Sequence, residues 1–227
     1  DQGFALSSNI AVANIVESTI NKDDLKACYL KYGFGSKTGF TMNREEAGSI
    51  DYTYQIEAAT AGYGQGITTT PIQHLQALTI ISNNGTMLKP YIIDKIVDTD
   101  TGKTIYKGKS KKVGTVVSST TVTKMKELMA SVINGDNTNS TGYLYHMDGY
   151  SLIGKTGTAQ KIPRSAGTYI VSFCGFAPVE NPQVLVYVVI DEIQRDSQTN
   201  TGLAVEIAKK VLEGSLKELN VAKSSKK

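Results

Sequence analysis

Apolar side chains in the first part of the chain recur at helical spacing. Residues 8–20 predict a buried helix, because six apolar residues fall on its turns: Ile10, Val12, Ala13, Ile15, Val16 and Ile20. Asp23-Asp24 open a second predicted helix, which continues through Tyr32 and ends at Gly33. Residues 33–56 are polar and rich in glycine, so we expect a loop there.

The strongest helix signal lies in the middle of the chain. Thr70-Pro71 combine a capping hydroxyl with proline at the first helical position, and Asn84-Gly85 form a left-handed terminator. Apolar, β-branched residues from Tyr91 to Val97 come next. The turn Asp100-Thr101-Gly102 and a short strand ending at Tyr106 complete a predicted hairpin.

The pattern changes from helical to alternating near residue 151. Residues 119–133 still predict a helix, and 134–149 are loop-like. Three strand-like runs follow, joined by short links that favour antiparallel pairing; they are 152–160, 168–177 and 184–191. Residues 200–219 then form a predicted amphipathic helix. Helices followed by a capped meander predict an α+β fold.

Composition and charge exclude several classes of function. Hydrophobic residues make up 40% of the 227 and charged residues 20%, which is typical of a globular protein. The net charge of +3 includes the terminal lysines, and no basic stripe interleaves with aromatics, so we expect no nucleic-acid partner. Two cysteines and two histidines lack metal-ligand spacing, which predicts no metal site. Cys174 lies in an apolar run and is expected to be buried.

The ends of the sequence carry no targeting signal. No run of eighteen apolar residues occurs, and no signal peptide opens the chain. The first residue is Asp1, so we expect the sequence to begin inside a longer protein. A membrane anchor or export signal of that protein would lie outside these residues.

The clearest chemical signal is the block from Gly154 to Gln160, which reads Gly-Lys-Thr-Gly-Thr-Ala-Gln on a predicted strand. Lys155 would place a cation beside a cleft, and the small residues after it would let a substrate backbone approach the strand. The hydroxyls of Thr156 and Thr158 suit a carboxylate. A second triplet, Lys37-Thr38-Gly39, falls in the polar loop, and we interpret it as a decoy outside the site.

A second element, Ser7-Ser8-Asn9, stands at the head of the first predicted helix. On its own it is explained by helix capping. Its significance comes from being paired in one chain with the Lys155 block, because Ser-x-Asn and Lys-Thr-Gly elements occur together in penicillin-binding proteins and β-lactamases.

Several blocks together resemble class B penicillin-binding proteins of the sporulation or division type. The blocks appear in the family's order across residues 2–191: Gln2 to Asn9, Phe34 to Phe40, Tyr63 to Gln73, Gly85 to Pro90, Gly154 to Gln160 and Ser172 to Pro178. The resemblance implies a transpeptidase fold and a serine acyl-transfer activity that cross-links D-Ala-D-Ala stem peptides of peptidoglycan. It also implies that β-lactams bind, that no cofactor is used and that a cell-wall polymerase is a partner.

The resemblance assigns roles to individual residues. Ser7 and Lys155 would be catalytic, with Ser7 passing a proton toward the leaving group and Lys155 positioning Ser7. The substrate-binding residues would be Asn9 on the substrate amide, and Thr156, Gly157, Thr158 and Gln160 along the strand. The backbone N–H of Thr158 would donate to the oxyanion.

One family element is absent from its expected place. The nucleophile belongs to a Ser-x-x-Lys element upstream of Ser7, and only Ser224-Ser225-Lys226-Lys227 fits that pattern, at the wrong end of the chain. We therefore expect residues 1–219 to be a partial transpeptidase domain that is inactive alone, with 220–227 a charged tail. The resemblance places the longer protein outside the cytoplasm, anchored by an N-terminal helix. A β-lactam sensor and a β-lactamase remain the alternatives.

Overall fold

The computed structural model describes residues 1–40, 44–194 and 197–224. Its helices are α1 (Gln2–Ala5), α2 (Asn9–Thr19), α3 (Lys22–Lys31), α4 (Gln55–Gly62), α5 (Pro71–Ser82), α6 (Ser119–Ile133) and α7 (Gly202–Glu218). Its strands are β1 (Thr86–Lys89), β2 (Lys95–Val97), β3 (Thr104–Lys107), β4 (Lys111–Thr115), β5 (Ile153–Gln160), β6 (Tyr169–Ala177) and β7 (Val184–Asp191).

The main sheet has the order β5-β6-β7 and is antiparallel throughout. Its register runs without a bulge from Ile153↔Phe176 to Gln160↔Tyr169. The short connections between the strands account for this pairing, since parallel neighbours need a long crossover. Strand β6 lies in the centre, which leaves β5 at an edge of the sheet among the described residues.

Each face of the sheet packs against different helices. On one face, Phe173 and Ala177 of β6 lie in the largest buried cluster together with four fully buried residues of α7: Ala204, Ala208, Leu212 and Leu216. On the other face, Phe176 packs with Leu78 of α5 and Met129 of α6. The alternation of side chains along a strand produces this division, so the sheet is buried on both sides.

Helix α5 ties the loop before it to the core. Thr70 and Gln73 form a capping box, with proline at the first turn as the sequence predicts. The Gln73 side chain is buried and donates to the carbonyls of Ser36 and Ala47, at 2.8 and 2.7 Å. These bonds hold Ser36 and Ala47, which lie outside the helices and strands, against the start of α5.

The structure corrects the expectation that residues 8–20 are a buried helix. Helix α2 forms, but Ile10 is 74% exposed and Ile15 is 53% exposed, and only Val16 is buried. Two elements also lie where no regular structure is predicted. Helix α4 is eight residues long, and the β1–β4 ladder is short and interrupted by a bulge, so neither shows a sustained period.

Residues after α7 return to the molecule. The Ser224 N–H donates to the Gly149 carbonyl at 2.7 Å, and the Tyr150 hydroxyl donates to the Val221 carbonyl. The rest of the predicted charged tail lies outside the described residues. Among the helices that are described, none has the length and apolar character required to cross a bilayer.

Truncating the α7 core should test this packing. Leu212→Ala removes a fully buried side chain and should lower the free energy of unfolding by about 3 kcal/mol, because it leaves a cavity between helix and sheet. Val211→Ala, at a neighbouring position that is 45% exposed, should cost less than about 1 kcal/mol. Urea unfolding measures both, and equal losses would contradict the assigned helix face.

Candidate active site

Ser7 lies in the tight turn between α1 and α2. Its backbone has φ of 54°, a left-handed conformation that is uncommon for serine. The turn is held by hydrogen bonds from the Ser7 N–H to Phe4 O at 3.1 Å and from the Ser8 N–H to Gly3 O at 2.8 Å. Ser8 caps α2 by accepting from the Ala11 N–H. The chain therefore holds Ser7 in an unfavourable conformation on the surface, as residues at functional sites often are.

Lys155 reaches this turn from the edge strand β5. Its Nζ donates to Ser7 Oγ at 2.7 Å and to the Thr156 carbonyl at 3.0 Å. The ammonium also lies 5.8 Å from the centre of the Phe4 ring, on the helix that precedes Ser7. The structure thus brings Ser7 and Lys155 together across 148 positions of sequence.

Burial sets the protonation of Lys155. Loss of solvent lowers its pKa from the ordinary 10.5 to about 8. The described residues provide no carboxylate within ion-pair distance of it. Lys155 is therefore partly neutral in mildly alkaline solution and can give up or take up a proton at small energetic cost.

Thr156, the next residue of β5, is connected to the same turn through Thr141. Thr156 Oγ1 lies 2.7 Å from Thr141 Oγ1, and Thr141 in turn donates to the Ala5 carbonyl. The sequence offered no signal for Thr141, because it lies in a loop-like segment and its partners are 15 and 136 positions away. The Phe4 contact was also not predicted.

Gly157 and Thr158 line a cavity of about 470 Å³ between β5 and the helical part. Thr158 is exposed to solvent. A Cβ at position 157 would lie 2.5 Å from Ser172 Oγ, so a larger residue would require that hydroxyl to move. These two residues therefore lie farther along the same strand, past Lys155.

A histidine forms part of the cavity wall. His74 stacks on Tyr187 at a centroid distance of 4.7 Å, and its Nε2 lies 2.9 Å from Thr69 Oγ1. Burial lowers its pKa to about 4, so it is neutral near pH 7. The imidazole therefore acts as a packing group in this wall and adds no charge to the cavity.

The two remaining predicted substrate-binding residues, Asn9 and Gln160, lie at the start of α2 and at the end of β5. Asn9 is the first residue of α2 and is exposed. Gln160, at the end of β5, donates from Nε2 to the Arg164 carbonyl at 3.1 Å and so braces the connection to β6. Their roles, like those of the other site residues, remain predictions.

The second Lys-Thr-Gly triplet does not belong to the sheet. Residues 37–39 have no regular structure, and the Glu45 carboxylate accepts from the Thr38 N–H and hydroxyl and from the Gly39 N–H. Thr38 is only 8% exposed, so the predicted polar loop is partly buried where Thr38 binds the Glu45 carboxylate. Residues 41–43 lie outside the described residues.

The family model for the penicillin binding protein transpeptidase domain matches residues 1–213. The chain belongs to this family. The α+β transpeptidase fold that the sequence predicts is confirmed by penicillin-binding protein 3 of Mycobacterium tuberculosis, solved in complex with ampicillin. That structure matches 99% of this chain with a TM-score of 0.86 at 25% identity.

Two relatives are similar to this chain over most of its length. Stage V sporulation protein D of Bacillus subtilis is 35% identical over 85% of this chain and 30% of that protein. The probable peptidoglycan D,D-transpeptidase PenA of Neisseria flavescens is 32% identical over 95% of this chain and 52% of that protein. The chain thus spans about half the length of these relatives or less.

The geometry of this transpeptidase domain suits a proton relay. A serine hydroxyl has one proton and two lone pairs. Because Ser7 Oγ accepts from Lys155, its own O–H remains able to donate to a group in the cleft. A proton that leaves Ser7 can be replaced from Lys155, whose lowered pKa makes that transfer easy.

The titration of Lys155 should appear in the stability of the chain. Below pH 8 the folded chain holds a charged and partly buried Lys155, which lowers the free energy of unfolding. Between pH 8 and 10.5 the folded state has released the Lys155 proton, whereas the unfolded state still retains it. Stability should therefore rise with pH in that window. Relative to Lys155→Met, the unmodified chain should gain about 3 kcal/mol between pH 7 and 10.5.

Urea unfolding at several pH values measures this difference, and Lys37→Met in the other triplet is the matched control. The Lys37 variant removes the same type of side chain from a triplet that takes no part in the Ser7–Lys155 contact. A difference for Lys155→Met that does not change with pH would show that the amine is not desolvated.

Proposed function

We propose that this chain supplies the proton-relay and substrate-strand part of a peptidoglycan D,D-transpeptidase. The observation that carries the proposal is the 2.7 Å hydrogen bond from Lys155 Nζ to Ser7 Oγ beside the edge strand β5. The family match and the relatives named as D,D-transpeptidases support it. The substrate would be a stem peptide ending in D-Ala-D-Ala.

The edge of β5 suits such a substrate. Its outer side has no strand partner among the described residues, so an extended peptide can lie along it as an added strand. The hydroxyl of the exposed Thr158 would bind the terminal carboxylate, and Asn9 would hold the substrate amide from the start of α2. Lys155 adds a positive field at the same edge, which favours an anionic peptide end.

The reaction would proceed through an acyl-enzyme. A serine oxygen attacks the carbonyl of the penultimate D-Ala, the C–N bond breaks, and the proton of that serine passes through Ser7 to the departing D-Ala amine. The amine of a neighbouring stem peptide then attacks the ester and releases the serine. Ser7 and Lys155 would move the proton in both steps.

The attacking serine would belong to residues outside these 227. Apart from Ser224 with Ser225–Lys227, which extends past the described residues, no Ser-x-x-Lys occurs in the sequence. The resemblance assigns Ser7 to the Ser-x-Asn element, whose serine passes protons, and therefore not to the nucleophile. In the longer protein, β-lactams would acylate that serine, as the ampicillin complex of the related penicillin-binding protein 3 suggests.

Mass spectrometry after incubation with penicillin tests the proposal. This chain alone should carry no covalent adduct, since removal of a nucleophile leaves only residual catalysis. The chain extended upstream by its own protein's sequence should acquire one adduct per molecule, on a serine outside residues 1–227. An adduct on a serine of this chain would show that the nucleophile is misplaced. An extended protein that never acylates would reject the proposed function.

A further inference from the structure

Thr141 connects the two elements that carry Ser7 and Lys155. It lies between α6 and the single turn of 3-10 helix at Tyr143–Tyr145. On one side its backbone N–H and its hydroxyl both donate to the Ala5 carbonyl, at 3.1 and 3.3 Å. On the other side its hydroxyl lies 2.7 Å from the Thr156 hydroxyl.

The bond to Ala5 acts on the turn that holds Ser7. Ala5 is the last residue of α1, and carbonyls at the end of a helix have no partner within it. Thr141 satisfies this carbonyl twice, two residues before Ser7. The left-handed backbone of Ser7 needs such a restraint, because the conformation is unfavourable for a residue with a side chain.

The bond to Thr156 acts on the strand that holds Lys155. The two residues are adjacent on β5, so a restraint on the Thr156 side chain also limits movement of the Lys155 backbone. Because the Thr141 proton is directed at Ala5, Thr156 must donate the hydrogen bond between the two hydroxyls. The result is a continuous chain of donors from β5 to the end of α1.

Thr141 itself is held in place. The N–H of its neighbour Gly142 donates to the Val132 carbonyl at 3.0 Å, and a Cβ at Gly142 would lie 2.8 Å from that oxygen. The residues before Thr141 form a turn in which the Ser140 N–H donates to the Asp136 carbonyl at 3.0 Å. Thr141 therefore projects from a short segment that is fixed to α6.

We propose that Thr141 is a positioning residue that sets the distance between Ser7 and Lys155. It contacts no reacting atom and acts through Ala5 and Thr156. This inference rests on the proposed function, since it assigns Thr141 to the relay of that same site. Loss of its hydroxyl would keep the backbone bond from Thr141 to Ala5 but break the link from Ala5 to Thr156. The α1–α2 turn should then loosen against β5 and expose the Lys155 amine to water.

The test uses Thr141→Val, which removes the hydroxyl and keeps the shape, and Thr141→Ser, which keeps the hydroxyl. Thr138→Val is the matched control, because it removes a hydroxyl of the same loop that bonds only to Asp136. NMR titration of the Lys155 side chain in the intact chain gives the readout. Thermal unfolding confirms that each variant folds.

The pKa of Lys155 should rise by about one unit in Thr141→Val, because burial is what lowers it. It should remain unchanged in Thr141→Ser and in Thr138→Val. A purely structural role for Thr141 would lower the melting temperature without moving this titration. An unchanged pKa in a folded Thr141→Val chain would overturn the proposal.

Acylation of the upstream-extended protein separates this inference from the proposed function. Thr141→Val should slow acylation by penicillin about tenfold, with rescue by serine, as expected when a relay is misplaced by a fraction of an ångström. If the unmodified extended protein fails to acylate, the proposed function is wrong, while the Lys155 titration still decides the role of Thr141. A normal rate in Thr141→Val would contradict the positioning role.

Discussion

The candidate site depends on one partly buried lysine, for which the described part of the chain offers no carboxylate within ion-pair distance. Lys155 meets a serine hydroxyl, a backbone carbonyl and an aromatic ring, and loss of solvent lowers its pKa. Lys161, just beyond the same strand, shows the contrast. It lies 2.8 Å from Asp191 and 2.6 Å from Glu192, and hydrogen bonds to these two carboxylates raise its pKa. One lysine is suited to moving a proton and the other to holding a connection between strands.

The rest of the fold makes that arrangement possible by fixing the edge of β5. Gly154 pairs with Gly175 on β6, and a Cβ at Gly154 would lie 2.4 Å from the Phe173 ring. Phe173 stacks on Tyr145 at a centroid distance of 3.8 Å in the cluster that α7 covers. Tight packing on this face leaves the outer edge of the strand free for Lys155, Thr156 and Thr158.

The sequence predicts the parts of the fold where a period is sustained and bounded by caps. The three strands of the main sheet, α6 and the start of α5 fall within a residue or two of their predicted limits. The sequence does not predict which side chains are buried where burial depends on segments that are distant in sequence. The apolar residues of α2 suggest a core helix, yet Ile10 and Ile15 face solvent. In the predicted amphipathic helix α7, the apolar Val211 is likewise 45% exposed.

The candidate site, like the fold, could be predicted from the sequence only in part. Ser7 and Lys155 belong to motifs with a recognisable order, so their proximity could be expected from the sequence. The role of Thr141 could not be predicted from the sequence, because it depends on side-chain hydrogen bonds to two segments that are distant in sequence. The choice between the two Lys-Thr-Gly triplets could be made from the sequence, because only Lys155 falls on a predicted strand. In the structure Lys155-Thr156-Gly157 lies in the sheet, while Thr38 and Gly39 bind the Glu45 carboxylate.

Substitution of the lysine in each triplet gives the most direct test of the central claim, which is that Lys155 belongs to the proton relay. The rate of penicillin acylation should be compared in the upstream-extended protein carrying Lys155→Met or Lys37→Met. If the relay runs through Lys155, the first variant should lose nearly all acylation and the second should keep it. An unimpaired Lys155→Met protein, or a loss caused by Lys37→Met alone, would contradict the assignment of this site.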